Sequence, residues 1–345
     1  MYDNSSNQDE LNAGSLFLVA SLYLNGDGVG QDDREALRLF IKAAQQGHAG
    51  AQYQVGKMYQ DGTGVDQDQA EALGWFITAA EQGDLEAERE IGMAFFYGRG
   101  TDRDYSTAFN ILNELAEKGD PKAQVMIGNM YNSEVGVDRD YAKAVDWFAE
   151  AAQQGNLEAQ FRIGMMYKNG KGLDQDYIRA LEWIERAAKQ GYSEAQYQAG
   201  NMYNSKMYFN EDYSRAFEWY LQAAAQGHVR AISQIGAYYM SGCGVEKDYY
   251  EAFDWLQMAA NQGDSNAQIM LAMLYKDGNG IEQDGDEALN WFAKAANQGR
   301  ADAKFMIGMM YQNGEGIEKN ADEAFNWFTE AAAEGDINAK FMLTV

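Results

Sequence analysis

The sequence predicts an all-α fold: a right-handed α/α superhelical solenoid of nine 36-residue helix-turn-helix repeats. Three periodic series carry that prediction. Trp stands at 75, 147, 183, 219, 255, 291 and 327, every interval being 36 residues or twice that, with Ile111 and Leu39 in the unfilled slots. An aromatic ring keeps the same beat at Tyr23, Tyr59, Phe95, Tyr131, Tyr167, Tyr203, Tyr239, Tyr275 and Tyr311. Glycine does so without a gap from Gly47 to Gly335. Self-similarity at such a period marks stacked two-element modules. A chain of 345 residues, long enough for two or three domains, can instead grow by stacking. The units run from Ser15 to Asn338. A polar segment, 1–14, precedes them, and Ala339–Val345 (339–345) begins a truncated tenth.

The unit Ala51–Glu86 shows the plan. Ala51, Val55, Met58 and Tyr59 recur at helical spacing, with Gly56 at the edge of their arc, and define helix A. Gly62 ends it, within Asp61-Gly62-Thr63-Gly64-Val65, because glycine readily takes the left-handed conformation that closes a helix. Asp68 opens helix B, where a carboxylate accepts hydrogen bonds from unpaired first-turn amides. Three residues beyond this slot, Glu35, Glu71, Glu251, Glu287 and Glu323 complete the pattern of a capping box. Ala72, Trp75, Phe76, Ala79 and Ala80 form the expected buried side, and Gly83 ends helix B. On this pattern Trp255→Ala opens a core cavity costing about 3–5 kcal/mol.

Composition narrows the function. Apolar residues make up 46% of the chain, ample for an extended core, and the pairing of one Pro with 36 Gly suits many short helices. The net charge of −26 repels nucleic acid and anionic lipid and attracts a basic protein. Cys243 stands alone, so no internal disulfide forms. No apolar run reaches membrane-spanning length, and Met1–Ser6 lacks the basic and apolar regions of a signal peptide. The expectation is a cytoplasmic protein with no cofactor, no bound nucleic acid and no membrane insertion.

The pattern carried by Ala51, Gly56, Tyr59, Gly62, Gly64, Val65, Asp68, Ala72, Trp75, Ala79, Ala80 and Gly83, and by their counterparts, resembles the Sel-one-like repeat (SLR) family. These are relatives of the tetratricopeptide repeat, and the likeness covers nearly the whole chain. It implies a non-enzymatic scaffold or adaptor for protein complexes. The alternative it implies is an immunity or inhibitor protein that neutralises a bacterial toxin. Some exported members clip each unit with a disulfide, and this chain lacks those cysteines.

In similar solenoids helix A lines the concave surface. On a helical wheel, unit positions 1, 5, 8 and 9 of helix A turn inward, and positions 3, 7 and 10 turn away. The expected partner-binding face is therefore Tyr53, Lys57 and Gln60 in unit 2, then Arg89, Met93 and Phe96 in unit 3. Unit 4 adds Val125, Asn129 and Asn132, and unit 5 adds Phe161, Met165 and Lys168. Units 6 and 7 give Tyr197, Asn201 and Asn204, then Ser233, Ala237 and Met240. Units 8 and 9 give Ile269, Met273 and Lys276, then Phe305, Met309 and Gln312. Aromatics, Met and amides lined up on a groove mark a protein interface. The competing reading is that curvature packs positions 3 and 7 against neighbouring units.

Unit 6 replaces Gly-x-Gly with Lys206, Met207, Tyr208 and Phe209, either a second contact loop or tolerated drift. Unit 4 has Glu134 for its first glycine. Acidic pairs such as Asp66/Asp68 lack the further ligands of a calcium loop. His48 and His228 lie five units apart, too far for a shared metal, and read as turn residues. Cys243 has no neighbouring base in the sequence to make it a nucleophile. No residue cluster singles out a catalytic reaction.

Overall fold

The computed structural model describes residues 12–206, 208 and 212–344. The chain divides into two compact blocks, Met1–Gln175 and Asp176–Val345. The first holds α1 (Ala13–Asn25), α2 (Asp33–Gln45), α3 (Ala49–Asp61), α4 (Gln69–Ala80), α5 (Leu85–Tyr97), α6 (Tyr105–Glu117), α7 (Pro121–Ser133), α8 (Tyr141–Gln153) and α9 (Leu157–Asn169). The second holds α10 (Tyr177–Lys189), α11 (Ser193–Tyr203), α12 (Tyr213–Ala225), α13 (Val229–Ser241), α14 (Tyr249–Asn261), α15 (Ser265–Asp277), α16 (Gly285–Ala296), α17 (Ala301–Asn313), α18 (Ala321–Ala333) and α19 (Ile337–Met342). Odd numbers are helix A and even numbers helix B, and within each block consecutive helices pack side by side. Among the described residues there is no strand.

Helix B starts as expected, with one difference. The Asp68 carboxylate accepts the amides of Ala70 and Glu71 at 2.9 and 3.0 Å, and Asn320 does the same for Asp322 and Glu323. The reciprocal half of the capping box is not made. The amide of Asp68 donates instead to the carbonyl of Tyr59 at 2.9 Å, a bond repeated from Asp32 to Tyr23 and from Asp248 to Tyr239. The Glu side chains are thereby released: Glu71 accepts the Trp75 indole at 3.0 Å, and Glu35 pairs with Arg38.

The core is offset by one residue from the tryptophans. Trp291 is buried, but Trp75, Trp147, Trp183, Trp219, Trp255 and Trp327 are only half-buried. The next position is closed in every unit: Phe40, Phe76, Leu112, Phe148, Ile184, Tyr220, Leu256, Phe292 and Phe328. A small residue on helix A accommodates it, Ala20 and Ala272 in two units and glycine in the other seven. A Cβ at Gly56 would lie 2.6 Å from the Phe76 ring, and one at Gly128 would lie 2.6 Å from the Phe148 ring. Glycine lets the ring sit directly on the helix A backbone, and the preceding Trp, turned by one residue, keeps an edge in solvent. Removing Trp255 therefore opens no closed cavity, and the 3–5 kcal/mol range belongs to the large side chains at the neighbouring position.

The second glycine of Gly-x-Gly joins the units. Gly100 has φ 69°, and a Cβ on it would come within 2.1 Å of the carbonyl oxygen of Gln69, the first residue of the preceding helix B. Gly64 meets Asp33 in the same way at 2.4 Å. A row of buried amides makes a second joint. Gln52 Nε2 donates to the Ala44 carbonyl of the previous unit at 3.2 Å, and Gln82 Nε2 donates to Gln52 Oε1 at 2.5 Å. Gln124 with Gln154, Gln196 with Gln226, and Gln268 with Gln298 repeat the link at 2.9, 2.7 and 2.8 Å. In two units without the buried glutamine, ion pairs Lys118–Glu88 (3.6 Å) and Lys304–Glu334 (2.6 Å) stand in the same slots.

Candidate partner-binding face

The wheel places positions 3, 7 and 10 outside the core, and the structure qualifies that expectation. None of the predicted helix A residues is fully open. Arg89, Phe161 and Tyr197 are only 8%, 6% and 8% exposed, and Val125 and Ser233 are also buried. The rest, Tyr53, Met165 and Phe305 included, are half-buried. Position 3 sits close enough to the next unit to be covered by it, which is why Arg89 reaches Asp120, the cap of α7, at 2.7 Å.

In the first block these residues converge. Tyr53 and Lys57 from α3, Arg89 and Met93 from α5, and Val125 and Met126 from α7 line a cleft of about 420 Å³. Glu90, Lys122, Asn156 and Glu158 complete its lining. Tyr53 and Lys57 also border a smaller cavity of about 230 Å³ beside Leu24 and Met58. The Tyr53 ring rests on Phe76 with centroids 5.8 Å apart. Burial, with Glu86 and Glu90 nearby, pushes the Tyr53 phenol up to about 12, so it stays protonated. Gln60 connects the walls, accepting from Lys57 at 2.5 Å and donating to Glu90 at 3.2 Å. Beyond the cleft, Phe96 packs edge-on against Tyr105 at 5.3 Å. Asn129, Asn132 and Met165 are half-buried. Lys168 is too, and burial holds its amine below the usual lysine range.

In the second block the same positions are taken up internally. Tyr197 stacks on His228 at 4.6 Å, with Arg230 over its ring at 5.0 Å. Asn201 Oδ1 accepts the Tyr220 hydroxyl at 2.9 Å, and Asn204 Oδ1 accepts the Tyr238 hydroxyl at 2.7 Å. Lys276 is held by Asp277 and Glu315 at 2.8 and 3.2 Å. Phe305 meets Phe328 at 5.6 Å, and Met309 packs on the same cluster. Ile269, Met240 and Met273 pack against the block's core, Ala237 is half-buried, and Gln312 buries its Oε1. In the unit 6 loop, Lys206 is exposed and Tyr208 meets Tyr177 at 5.0 Å. Met207 and Phe209 lie outside the described residues.

The Sel1 repeat profile matches nine consecutive segments: 13–48, 49–84, 85–120, 121–156, 157–192, 193–228, 229–264, 265–299 and 301–336. The chain belongs to the Sel1 repeat family. It is similar to a Sel1 repeat protein from Oxalobacter formigenes, with 32% identity and a TM-score of 0.63 over 71% of this chain and 96% of that one. It is also similar to a protective antigen of uropathogenic Escherichia coli that displays an SLR fold, with 29% identity and a TM-score of 0.56 over 96% of this chain and 79% of that one. No curated protein sequence matches it significantly. Sel1 repeat proteins serve as protein-interaction modules. No helix among the described residues is long and apolar enough to cross a membrane.

Two features of this Sel1 repeat chain escape the sequence reading. The Gln52, Gln124, Gln160, Gln196 and Gln268 series falls on the 36-residue beat and is buried throughout, a signal as regular as the tryptophans. The histidines are helix caps: His48 Nδ1 accepts the Ala51 amide at 3.1 Å, and His228 Nδ1 accepts that of Ala231 at 3.2 Å. Asp84, Asp120, Asn156 and Asp264 cap helix A from the same slot, which shows what the position requires.

Proposed function

We propose that this chain is a non-enzymatic scaffold or adaptor that seats a segment of another protein in the cleft of its first block. One observation carries the reading. Positions 3 and 7 of successive A helices, Tyr53, Lys57, Arg89, Met93 and Val125, come together on a single cleft. Its lining has the composition of an interface: an aromatic ring and thioethers for apolar contact, with charges around them. Each A helix adds another set of positions 3 and 7, so an extended segment fits the geometry better than a small molecule does.

The double variant Tyr53→Ala/Met93→Ala tests the proposal. Affinity capture with the intact chain, read by mass spectrometry, is expected to lose its specific partners with the variant while the melting temperature falls only slightly. Retained partners sink the cleft assignment. Several partners fit the adaptor reading. Recovery of one very tightly held basic protein favours the inhibitor reading, which the net charge of −26 suits.

A further inference from the structure

We infer that Asn279 is a site of spontaneous chemical modification, converting to isoaspartate and thereby loosening the joint between units 7 and 8. This is independent of the docking reading above.

Asparagine followed by glycine is the step at which a main-chain amide most readily attacks the preceding carboxamide, because glycine has no side chain to obstruct the approach. Four such steps occur: Asn25-Gly26, Asn169-Gly170, Asn279-Gly280 and Asn313-Gly314. In three of them the attacking amide is taken. Asn25, Asn169 and Asn313 end α1, α9 and α17, and the amides of Gly26, Gly170 and Gly314 close those helices on the carbonyls of Leu22, Met166 and Met310. Asn279 lies beyond the end of α15, where Gly278 closes the helix instead. The Gly280 amide and the Asn279 carboxamide have no hydrogen-bond partner among the described residues. Exposure alone would choose differently, since the other three asparagines are exposed and Asn279 is half-buried.

The Gly280 nitrogen gives up its proton to solvent base and bonds to Cγ of Asn279, and the carboxamide nitrogen takes up a proton and leaves as ammonia. Water then opens the five-membered imide. Attack at the main-chain carbonyl leaves the chain running through Cβ and Cγ. In the same slot Thr63, Arg99, Val135, Lys171 and Cys243 have no side-chain carbonyl to close such a ring, and Asp27 and Glu315 carry a carboxylate, a poorer leaving group. Isoaspartate adds one atom to the main chain directly before Gly280. That glycine sits at φ 73°, so close to unit 7 that a Cβ on it would come within 2.6 Å of Tyr249. The insertion therefore falls on a contact with no room for it.

The test holds the intact chain in mildly alkaline buffer at physiological temperature, folded or in urea, and maps isoaspartate by peptide mass spectrometry. In the folded chain Asn279 is expected to convert at least about fivefold faster than Asn25, Asn169 or Asn313, and in urea the four rates should draw together. Asn279→Gln, which cannot close the five-membered ring, is expected to keep its urea midpoint through the same incubation while the wild type loses stability. Equal conversion of the four sites in the folded chain, or faster conversion at any of the other three, overturns the site. Conversion at Asn279 with an unchanged urea midpoint overturns its effect on the joint.

Discussion

The two blocks present the same helix A positions with opposite results. In the first, positions 3 and 7 line a cleft at Tyr53, Lys57, Arg89 and Met93. In the second, positions 7 and 10 of unit 6 are Asn201 and Asn204, and both serve the interior. The difference starts in the core. The ring slot of helix B is Phe40, Phe76, Leu112 and Phe148 through the first four units, but Tyr220 in unit 6. Position 8 is Met58, Ala94, Met130 and Met166 in the first block, but Tyr238 in unit 7. A buried hydroxyl needs a partner, since leaving one unpaired costs about 1–3 kcal/mol. Asn201 and Asn204 supply it. Asn129 and Asn132 occupy the same positions in unit 4, where Phe148 and Met166 make no such demand. The lesson is that a residue's place on the wheel decides only where it can point. What it serves is set by the polarity of the side chain behind it.

Three groups of substitutions sharpen or break that comparison. The largest effect is expected where the blocks are alike. Phe148→Ala and Phe292→Ala should each cost about 3–5 kcal/mol in urea unfolding, and Trp147→Ala clearly less, because its ring is half-buried. Equal losses at Phe148 and Trp147 would contradict the offset core. The blocks should separate at the amides: Asn201→Ala is expected to cost about 1–3 kcal/mol, against less than about 0.5 kcal/mol for Asn129→Ala. Similar values at the two sites would remove the distinction. The smallest effect concerns Glu134, which sits at φ 59° where other units have glycine. Glu134→Gly relieves the left-handed strain but breaks the exposed 2.9 Å pair with Arg139, for a net gain of about 0.5 kcal/mol.

Much of the fold is legible in the sequence, since helix spacing, Asp68-type caps and Gly62-type stops each act within one or two turns. What was misread depends on contacts between turns or units. The tryptophan series is the most conspicuous signal, yet the slot one residue later is the interior, because it is that side chain, as Phe76 on Gly56, that meets the helix A backbone across the unit. The capping box fails because the Asp68 amide is claimed by Tyr59, nine residues earlier, and no local pattern displays that competitor. Among the face residues, Tyr53, Lys57 and Met93 come together as the wheel suggests. Arg89 and Phe161 are covered because the wheel treats a helix as isolated, and here each is sheltered by its neighbours.

The joint made by Gly64 and Gly100 has a consequence for how such a chain can change length. Each presses on the first residue of the preceding helix B, and the amides of Gln52 and Gln124 likewise cross to the previous unit, to the carbonyls of Ala44 and Ala116. A cassette of 36 residues cut out or copied at such a seam leaves two ends already shaped for each other. The array can then be shortened or extended in whole steps without redesigning its interior, while a gain or loss of a single residue would throw every later seam out of register.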